Sequence, residues 1–405
     1  MPRVLLSTLG SRGDVQPLVA LALALRELGH EVRLCVPPDF REWIEGLGIS
    51  VTPIGRELRA TAKPPATMAP PPPEQIRMLM AQTVATQFAT LTEAAKGHDL
   101  IVGATALQLA APSVAETLGI PYVFAAYCPV VLPSPHHAPP VLGLLGDTPA
   151  GADADHRALW TQDAVRWNTQ WADLLNARRA ELGLGAIEDV RGHVLTAPPW
   201  LASDPTLGPW PDAGDEAVVQ TGAWILRDER PLPAALAAFL AAGEPPVYLG
   251  FGSIRAPEAV ARVTIEATRW LGRRLIVSRG WADLALVDDK PDCIAIDEVN
   301  QQRLFPRVAA VVHHGGAGTT TAAAGAGAPQ VVIPQHYDQH YWARRVDELG
   351  IGTAHAPGAP TLASSIAALE RTLRPEVSER ARAFTVRTDG AAVAARLLTE
   401  RYLRR

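Results

Sequence analysis

Apolar residues in this chain fall into short solid runs separated by longer stretches in which they recur every three or four positions. In the first half the runs at 3–8, 31–36, 100–103 and 122–126 read as buried strands. Residues 15–28 and 107–118 carry the helical spacing between them. Strand and helix alternating in this way predict a parallel sheet with helices on both faces. Two proline-rich stretches, 63–73 and 129–150, break the alternation, and irregular segments of that length in a compact domain are functional or disordered. A helix follows from about 155 to 182, and its Trp160, Trp167 and Trp171 fit packing better than a ligand platform.

A charged, proline-marked segment, Trp224-Ile-Leu-Arg-Asp-Glu-Arg-Pro-Leu-Pro, interrupts the pattern, after which the alternation restarts. Strands are expected at 247–251, 274–278, 293–296, 309–312 and 330–333, with helices at 257–271, 317–327 and 341–349. The chain is mostly helical after Leu362. At 405 residues it is too long for one comfortable core. The expected class is α/β, with two doubly wound parallel-sheet, Rossmann-like domains facing an interdomain cleft. Residues 1–222 form the first domain, 223–236 the linker and 237–385 the second domain. Residues 386–405 form a terminal helix that packs back on the first domain. A ligand belongs in the cleft, at the C-terminal edges of both sheets.

Composition narrows the partners. A net charge of −5 and no dense basic run before Arg404-Arg405 give no reason to expect nucleic acid. The apolar stretches are broken well short of membrane-spanning length, so no stable membrane association is expected. The N-terminus enters a strand at once, without signal-peptide architecture. Cys35, Cys128 and Cys293 have neither metal-ligand spacing nor an even count, which fits reduced, buried thiols in a cytoplasmic protein, and a monomer is expected.

The stretch His313-His314-Gly315-Gly316-Ala317-Gly318-Thr319-Thr320 carries the most chemistry. It joins a short apolar strand to a small-residue helix through a turn almost free of side chains. There, backbone N–H groups can approach a diphosphate closely, and the helix N-terminus favours negative charge. His314 and Thr319 can donate from their side chains, while His313 reads as a structural strand-end residue. Asp338 and Gln339 follow the next strand, where they are either first-turn helix residues or hydrogen-bonding groups for a polyol. Gly10-Ser11-Arg12-Gly13-Asp14 opens the first helix. Asp14 there is either favourably placed near a helix N-terminus or a general base facing the cleft, with Ser11 or Arg12 near phosphate. Phe251-Gly252-Ser253 repeats the strand–Gly–Ser design, and Ser253 could add a second diphosphate contact. A cradle beside polyol-binding groups points to a nucleotide-sugar site. The glycine spacing does not fit Gly-x-Gly-x-x-Gly, and the second strand ends in Pro37-Pro38 rather than an acidic ribose ligand. Both facts disfavour a dinucleotide-dependent oxidoreductase.

These motifs resemble the inverting, nucleotide-sugar-dependent glycosyltransferases of the GT-B fold that decorate natural products. Gly10-Ser-Arg-Gly-Asp14-Val-Gln-Pro17 is similar to the N-terminal signature of actinobacterial antibiotic enzymes and sterol glucosyltransferases. Residues 314–339 resemble the donor signature, with Gly316, Thr319, Gly327-Ala-Pro329, Pro334 and Asp338-Gln339 in register. Residues 218–225, 247–253, 278–284 and 387–397 resemble the subgroup that glycosylates vancomycin-type glycopeptides.

The resemblance implies that Ser11, Arg12, Gly252, Ser253, His314, Gly316, Gly318 and Thr319 surround the donor diphosphate. It places Val299 beside the nucleobase and Asp338 and Gln339 on the sugar hydroxyls, with Asp14 and Asp338 the catalytic carboxylates. It implies no metal and no cofactor beyond the donor. The expected reaction moves a hexose, glucose from UDP-glucose in the first instance, to a phenolic hydroxyl of an aglycone. A sterol or lipid acceptor is the runner-up, and a non-catalytic nucleotide-sugar-binding auxiliary the alternative of another class. Asp14 stands where many relatives have histidine. Ala322 stands where plant relatives have an acidic ribose ligand, which leaves UDP and TDP both open.

Overall fold

The structure is a computed structural model that describes residues 1–404 except 63–71, 106, 141–150, 152, 212–217, 258 and 357. Much of both proline-rich stretches therefore lies outside the described residues. The first half contains β1 (Arg3–Thr8), α1 (Arg12–Glu27), β2 (Glu31–Val36), α2 (Arg41–Glu45), β3 (Ser50–Pro53) and α3 (Pro73–Ala94). It continues with β4 (Leu100–Ala104), α4 (Ala111–Leu118), β5 (Tyr122–Ala126), α5 (His156–Glu181), α6 (Val190–Leu195), β6 (Trp200–Leu201) and β7 (Val219–Gln220). The second half contains α7 (Ala234–Ala241), β8 (Val247–Gly250), α8 (Val260–Trp270), β9 (Leu275–Ser278), β10 (Cys293–Ile296), α9 (Gln301–Leu304) and β11 (Ala310–His313). Then come α10 (Ala317–Gly325), β12 (Gln330–Val332), α11 (Gln339–Glu348), β13 (Gly352–Ala354), α12 (Leu362–Thr372), α13 (Pro375–Ala383) and α14 (Gly390–Leu398).

The strands form a seven-stranded sheet in the order β3-β2-β1-β4-β5-β6-β7 and a six-stranded sheet in the order β10-β9-β8-β11-β12-β13. Every pairing within them is parallel. In each sheet the chain winds one way, returns, and continues on the other side of its first strand. The switch points fall between β1 and β4 and between β8 and β11. Adjacent loops leave such a point in opposite directions, and a crevice opens at the C-terminal ends of the strands.

Alternation decides the faces of the first sheet. Val4 and Leu6 join Val15, Leu18 and Leu21 of α1, while Leu5 and Cys35 turn to the side covered by α3 and α4. Ala391, Ala394, Ala395 and Leu398 of α14 pack into the same core as α1, so the chain end returns to the first sheet. Gly390 makes that crossing close: a Cβ there would collide with the backbone of Gly222 and Ala223. Trp160 is buried and Trp167 and Trp171 pack partly buried beside α3 and α4, as helix packing requires.

Several elements depart from the pattern-based expectation. The helix expected at 107–118 begins at Ala111, where Pro112 occupies its first turn, the place in a helix that tolerates proline. The two-residue strands β6 and β7 are too short for a periodic signal. α3 is absent from the sequence reading because its first turns leave Ile76, Met78 and Leu79 exposed rather than ordering them into one buried stripe.

Candidate active site

The second sheet builds the phosphate turn from glycines and one histidine. β11 ends at His313, whose Nδ1 accepts from the Gly315 N–H at 3.1 Å while Nε2 pairs with Gln330 Oε1 at 2.9 Å. Both ring nitrogens are thus occupied, and burial pushes the imidazole down to about 4. Gly315 takes φ of +92°, and a Cβ there would sit 2.7 Å from Val332. Gly316 caps α10 without any side-chain hydrogen bond, so the first-turn N–H groups stay directed outward. His314 is buried beside it, its Nδ1 without a partner among the described residues. Burial together with His313 lowers His314 to about 3. It is therefore a neutral donor at physiological pH and not a cation. Gly318 is open on its outer face, and Thr319 stands half-buried next to it.

The adjacent strand supplies the second wall. β8 pairs with β11, placing Gly250 opposite His313, and the chain then turns through Gly252 at φ of +60°. A Cβ on Gly280 would collide with the Gly252 carbonyl, which already accepts from the Trp281 N–H at 2.9 Å. Ser253 Oγ accepts from the Arg12 N–H of the first half at 3.1 Å. This bond brings the two sheet edges together. Val299 is half-buried against the core of Leu236, Tyr248 and Phe305, three residues after β10.

From the first sheet comes Asp14, in the first turn of α1. Gly10 has no side chain and the Asp14 carboxylate lies over it; a Cβ would collide with that carboxylate. The Tyr127 hydroxyl donates to the Asp14 carbonyl at 3.0 Å, tying α1 to the end of β5. Burial pushes the Asp14 carboxyl up to about 7; the Ser11 N–H holds it down, and the charge of Asp338 across the cleft raises it further. Asp338 is itself pushed up by burial to about 6, although the Trp342 indole donates to its Oδ2 at 3.0 Å. Both carboxylates keep some solvent-accessible surface despite these surroundings, as groups on the floor of a cleft do. Its position thus takes Asp14 well above the ordinary carboxylate value of about 4.

Two further expectations are revised. The Arg12 guanidinium is not aimed at the phosphate turn. It bonds Gln16 Oε1 at 2.9 Å and Glu298 Oε2 at 2.7 Å and lies 4.1 Å over the Trp43 ring. Only its backbone N–H touches a predicted donor residue. The Gln339 side-chain oxygen accepts from the N–H groups of Gln335 at 2.8 Å and His336 at 3.3 Å, so it caps the loop before α11. Asp338 is the N-cap residue of α11 but makes no side-chain capping bond, leaving its carboxylate to Trp342 and the cleft.

The structure adds residues that the sequence did not single out. Phe40 of the first half stacks on Trp281 of the second, with centroids 5.8 Å apart and planes 18° from parallel. With Arg12–Glu298 it closes one side of the cleft, and Arg345, donating to the carbonyls of Leu207 and Thr206 at 3.1 Å, closes another. No helix among the described residues is long and apolar enough to cross a membrane.

Two doubly wound sheets, a bare helix N-terminus on one and a raised carboxylate on the other define a GT-B glycosyltransferase. Residues 4–134 match the glycosyltransferase family 28 N-terminal domain, and residues 270–395 match the erythromycin biosynthesis protein CIII-like C-terminal domain. The chain is 52% identical to glycosyltransferase GtfE of Amycolatopsis orientalis over 98% of its own length and 97% of the relative's. It is 51% identical, with the same coverage, to the vancomycin aglycone glucosyltransferase of that organism. The fold is shared with the Streptomyces sp. SF2575 glycosyltransferase SsfS6 complexed with thymidine diphosphate. That match has a TM-score of 0.61 and 21% identity, and covers 99% of this chain and 100% of the other. The chain belongs to the family of natural-product glycosyltransferases that includes GtfE and the vancomycin aglycone glucosyltransferase.

Proposed function

We propose that this enzyme transfers a hexose from a nucleoside diphosphate donor to a phenolic hydroxyl of a glycopeptide aglycone, with inversion at the anomeric carbon. The observation that carries the reading is the Asp14 carboxyl, raised by burial, at one switch point, with the Asp338 carboxylate of the second half acting on it, and the phosphate turn at the other. On this reading residues 1–222 hold the acceptor and residues 237–385 the donor.

Departure of the nucleoside diphosphate places negative charge on the leaving oxygens. The first-turn N–H groups of α10, the neutral His314 and the Ser253 hydroxyl are positioned to receive it. The sugar gains oxocarbenium character, which the nearby carboxylate of Asp338 offsets. The acceptor hydroxyl loses its proton to Asp14 as it attacks. A phenol has a pKa of about 10 and an ordinary aspartate about 4, so raising Asp14 to about 7 roughly halves the mismatch. An aliphatic alcohol would stay far less well matched, which favours a phenolic acceptor over a sterol. Attack opposite the leaving group converts an α-linked donor into a β-glycoside. The vancomycin aglycone activity of one relative supports the acceptor class and a glucosyl donor. The thymidine diphosphate bound to SsfS6 supports TDP as the near alternative to UDP.

Calorimetric titration with UDP, TDP and NADH, followed by UDP-glucose hydrolysis without acceptor, tests the donor half. Binding of UDP or TDP with slow sugar release is expected. Binding with no hydrolysis would favour the non-catalytic auxiliary, and NADH binding alone would overturn the reading.

A further inference from the structure

The carboxylate of Asp338 needs something other than its own helix to aim it. At φ of −72° and ψ of −12° Asp338 is already helical, whereas a residue that caps a helix through its side chain is extended. Its carboxylate accordingly makes no capping bond to the first turn of α11. Tyr337, with φ of 58°, turns the chain into that helix from the residue before. An aspartate on such a turn is free to change rotamer unless a partner holds it. One turn along α11 the Trp342 indole N–H supplies the partner, 3.0 Å from Oδ2.

Contacts on three sides fix where this pair lies. Gly315 of the phosphate turn abuts the start of α11: a Cβ on it would sit 3.1 Å from the Gln339 carbonyl oxygen. The Trp342 ring is buried and packs with Cys128 and Val130, just past β5, and with Leu207. Tyr127, next to Cys128 in the chain, is the residue whose hydroxyl donates to the Asp14 carbonyl. The pair thus stands between the phosphate turn and the segment that anchors Asp14. The far edge of the indole is set by the first half, where a Cβ on Gly208 would lie 2.7 Å from Cη2. The loop carrying Gly208 is itself pinned. Asp204 Oδ1 accepts from the N–H groups of Thr206 at 2.8 Å and Leu207 at 2.9 Å, and Arg345 holds both of their carbonyls. Close packing on that edge opposes rotation of the ring and keeps its N–H on the carboxylate.

We propose that Trp342 is a positioning residue: its indole N–H, with the ring seated against Gly208 of the first half, holds the Asp338 carboxylate in the rotamer that meets the donor sugar. The inference rests on the transferase reading above and deepens it by naming what orients the second carboxylate. Misplacing a catalytic group by about 1 Å costs up to about a hundredfold in rate, so the bond matters even though Trp342 touches no substrate.

The test compares wild type, Trp342→Phe, Asp338→Ala and the double variant. Glucose transfer to a vancomycin-type aglycone is measured from UDP-glucose, or from TDP-glucose if TDP binds better, and the free nucleotide and the nucleotide sugar are titrated calorimetrically. Phenylalanine keeps most of the packing and removes the N–H. Trp342→Phe is expected to lower kcat/KM by about tenfold or more, while free-nucleotide affinity stays within about twofold. In the Asp338→Ala background the same change is expected to cost less than about twofold, because its effect runs through the carboxylate. An equal cost in both backgrounds would overturn the inference and leave the transferase reading standing, since the ring would then act by packing alone. A loss of free-nucleotide affinity as large as the loss of kcat/KM would also overturn it. A wild type that binds the nucleotide sugar but transfers nothing would sink the transferase reading instead. The preference for nucleotide sugar over free nucleotide then decides: a fall of about threefold or more in Trp342→Phe supports the inference, and an unchanged preference overturns it.

Discussion

Asp14→Asn is expected to lower transfer turnover by about two to four decades, the usual worth of a general base, while UDP affinity stays within about threefold. Asparagine keeps the shape over Gly10 and removes only the capacity to take a proton. The wild type should show an acidic limb, with kcat/KM rising as Asp14 ionises and levelling above the value of about 7. Stability should run the other way. The folded-state value lies above the unfolded value of about 4, so the folded form holds the proton more tightly. The contribution of Asp14 to stability is then fully present below about pH 4 and is lost as pH rises from about 4 to 7. The gain in Tm of Asp14→Asn over wild type should accordingly grow between pH 5 and pH 8. Turnover profiles and thermal melts at both pH values check the pair of effects. An activity loss without the pH-dependent gain in Tm would mean that Asp14 is not held at a raised value.

Gly316→Val is expected to weaken UDP binding by about a hundredfold and to lower Tm as well, because the buried His314 ring must shift to admit a side chain. At Gly316 φ is −66° and ψ 142°, extended backbone that any residue adopts, so the effect does not come from backbone strain. It comes from the site, because a Cβ collides with His314 Nε2 and covers the approach to the first N–H groups of α10. Losing one or two charge-assisted hydrogen bonds at about 1.5–3 kcal/mol each accounts for that factor. His314→Ala should show a smaller loss, because the backbone donors survive. Gly315→Val is a poor substitute, since at φ of +92° strain would damage the turn itself. Calorimetry with UDP separates these cases, and unaltered affinity in Gly316→Val would remove this turn from the donor site.

The parts of this site that could be read from sequence are those encoded locally. The His-Gly turn needs small residues at fixed offsets after a strand, and Asp14 needs only its place in a first helical turn. Both sheets follow from alternating runs, so the two-domain α/β class was legible from hydrophobic pattern and chain length. Long-range choices were not. Arg12 belongs to Glu298, which lies 286 positions away, and no local signal predicts that pair. Gln339 looked free for sugar because its capping of Gln335 and His336 depends on how the loop before α11 folds. The left-handed Tyr337 carries no sequence mark, for glycine or asparagine would be the usual sign of that conformation. The raised values of Asp14 and Asp338 arise from burial in the folded chain, which no local sequence signal carries.

The most direct test of the central claim is the anomeric configuration of the product. The enzyme would be incubated with α-linked UDP-glucose, and separately with TDP-glucose, in the presence of a vancomycin-type aglycone. The glycoside would then be isolated and its anomeric proton coupling read by NMR. A β-glycoside on a phenolic oxygen is the expected result. An α-glycoside would contradict direct displacement with Asp14 as base. No glycoside from either donor, with nucleotide binding intact, would contradict transfer itself.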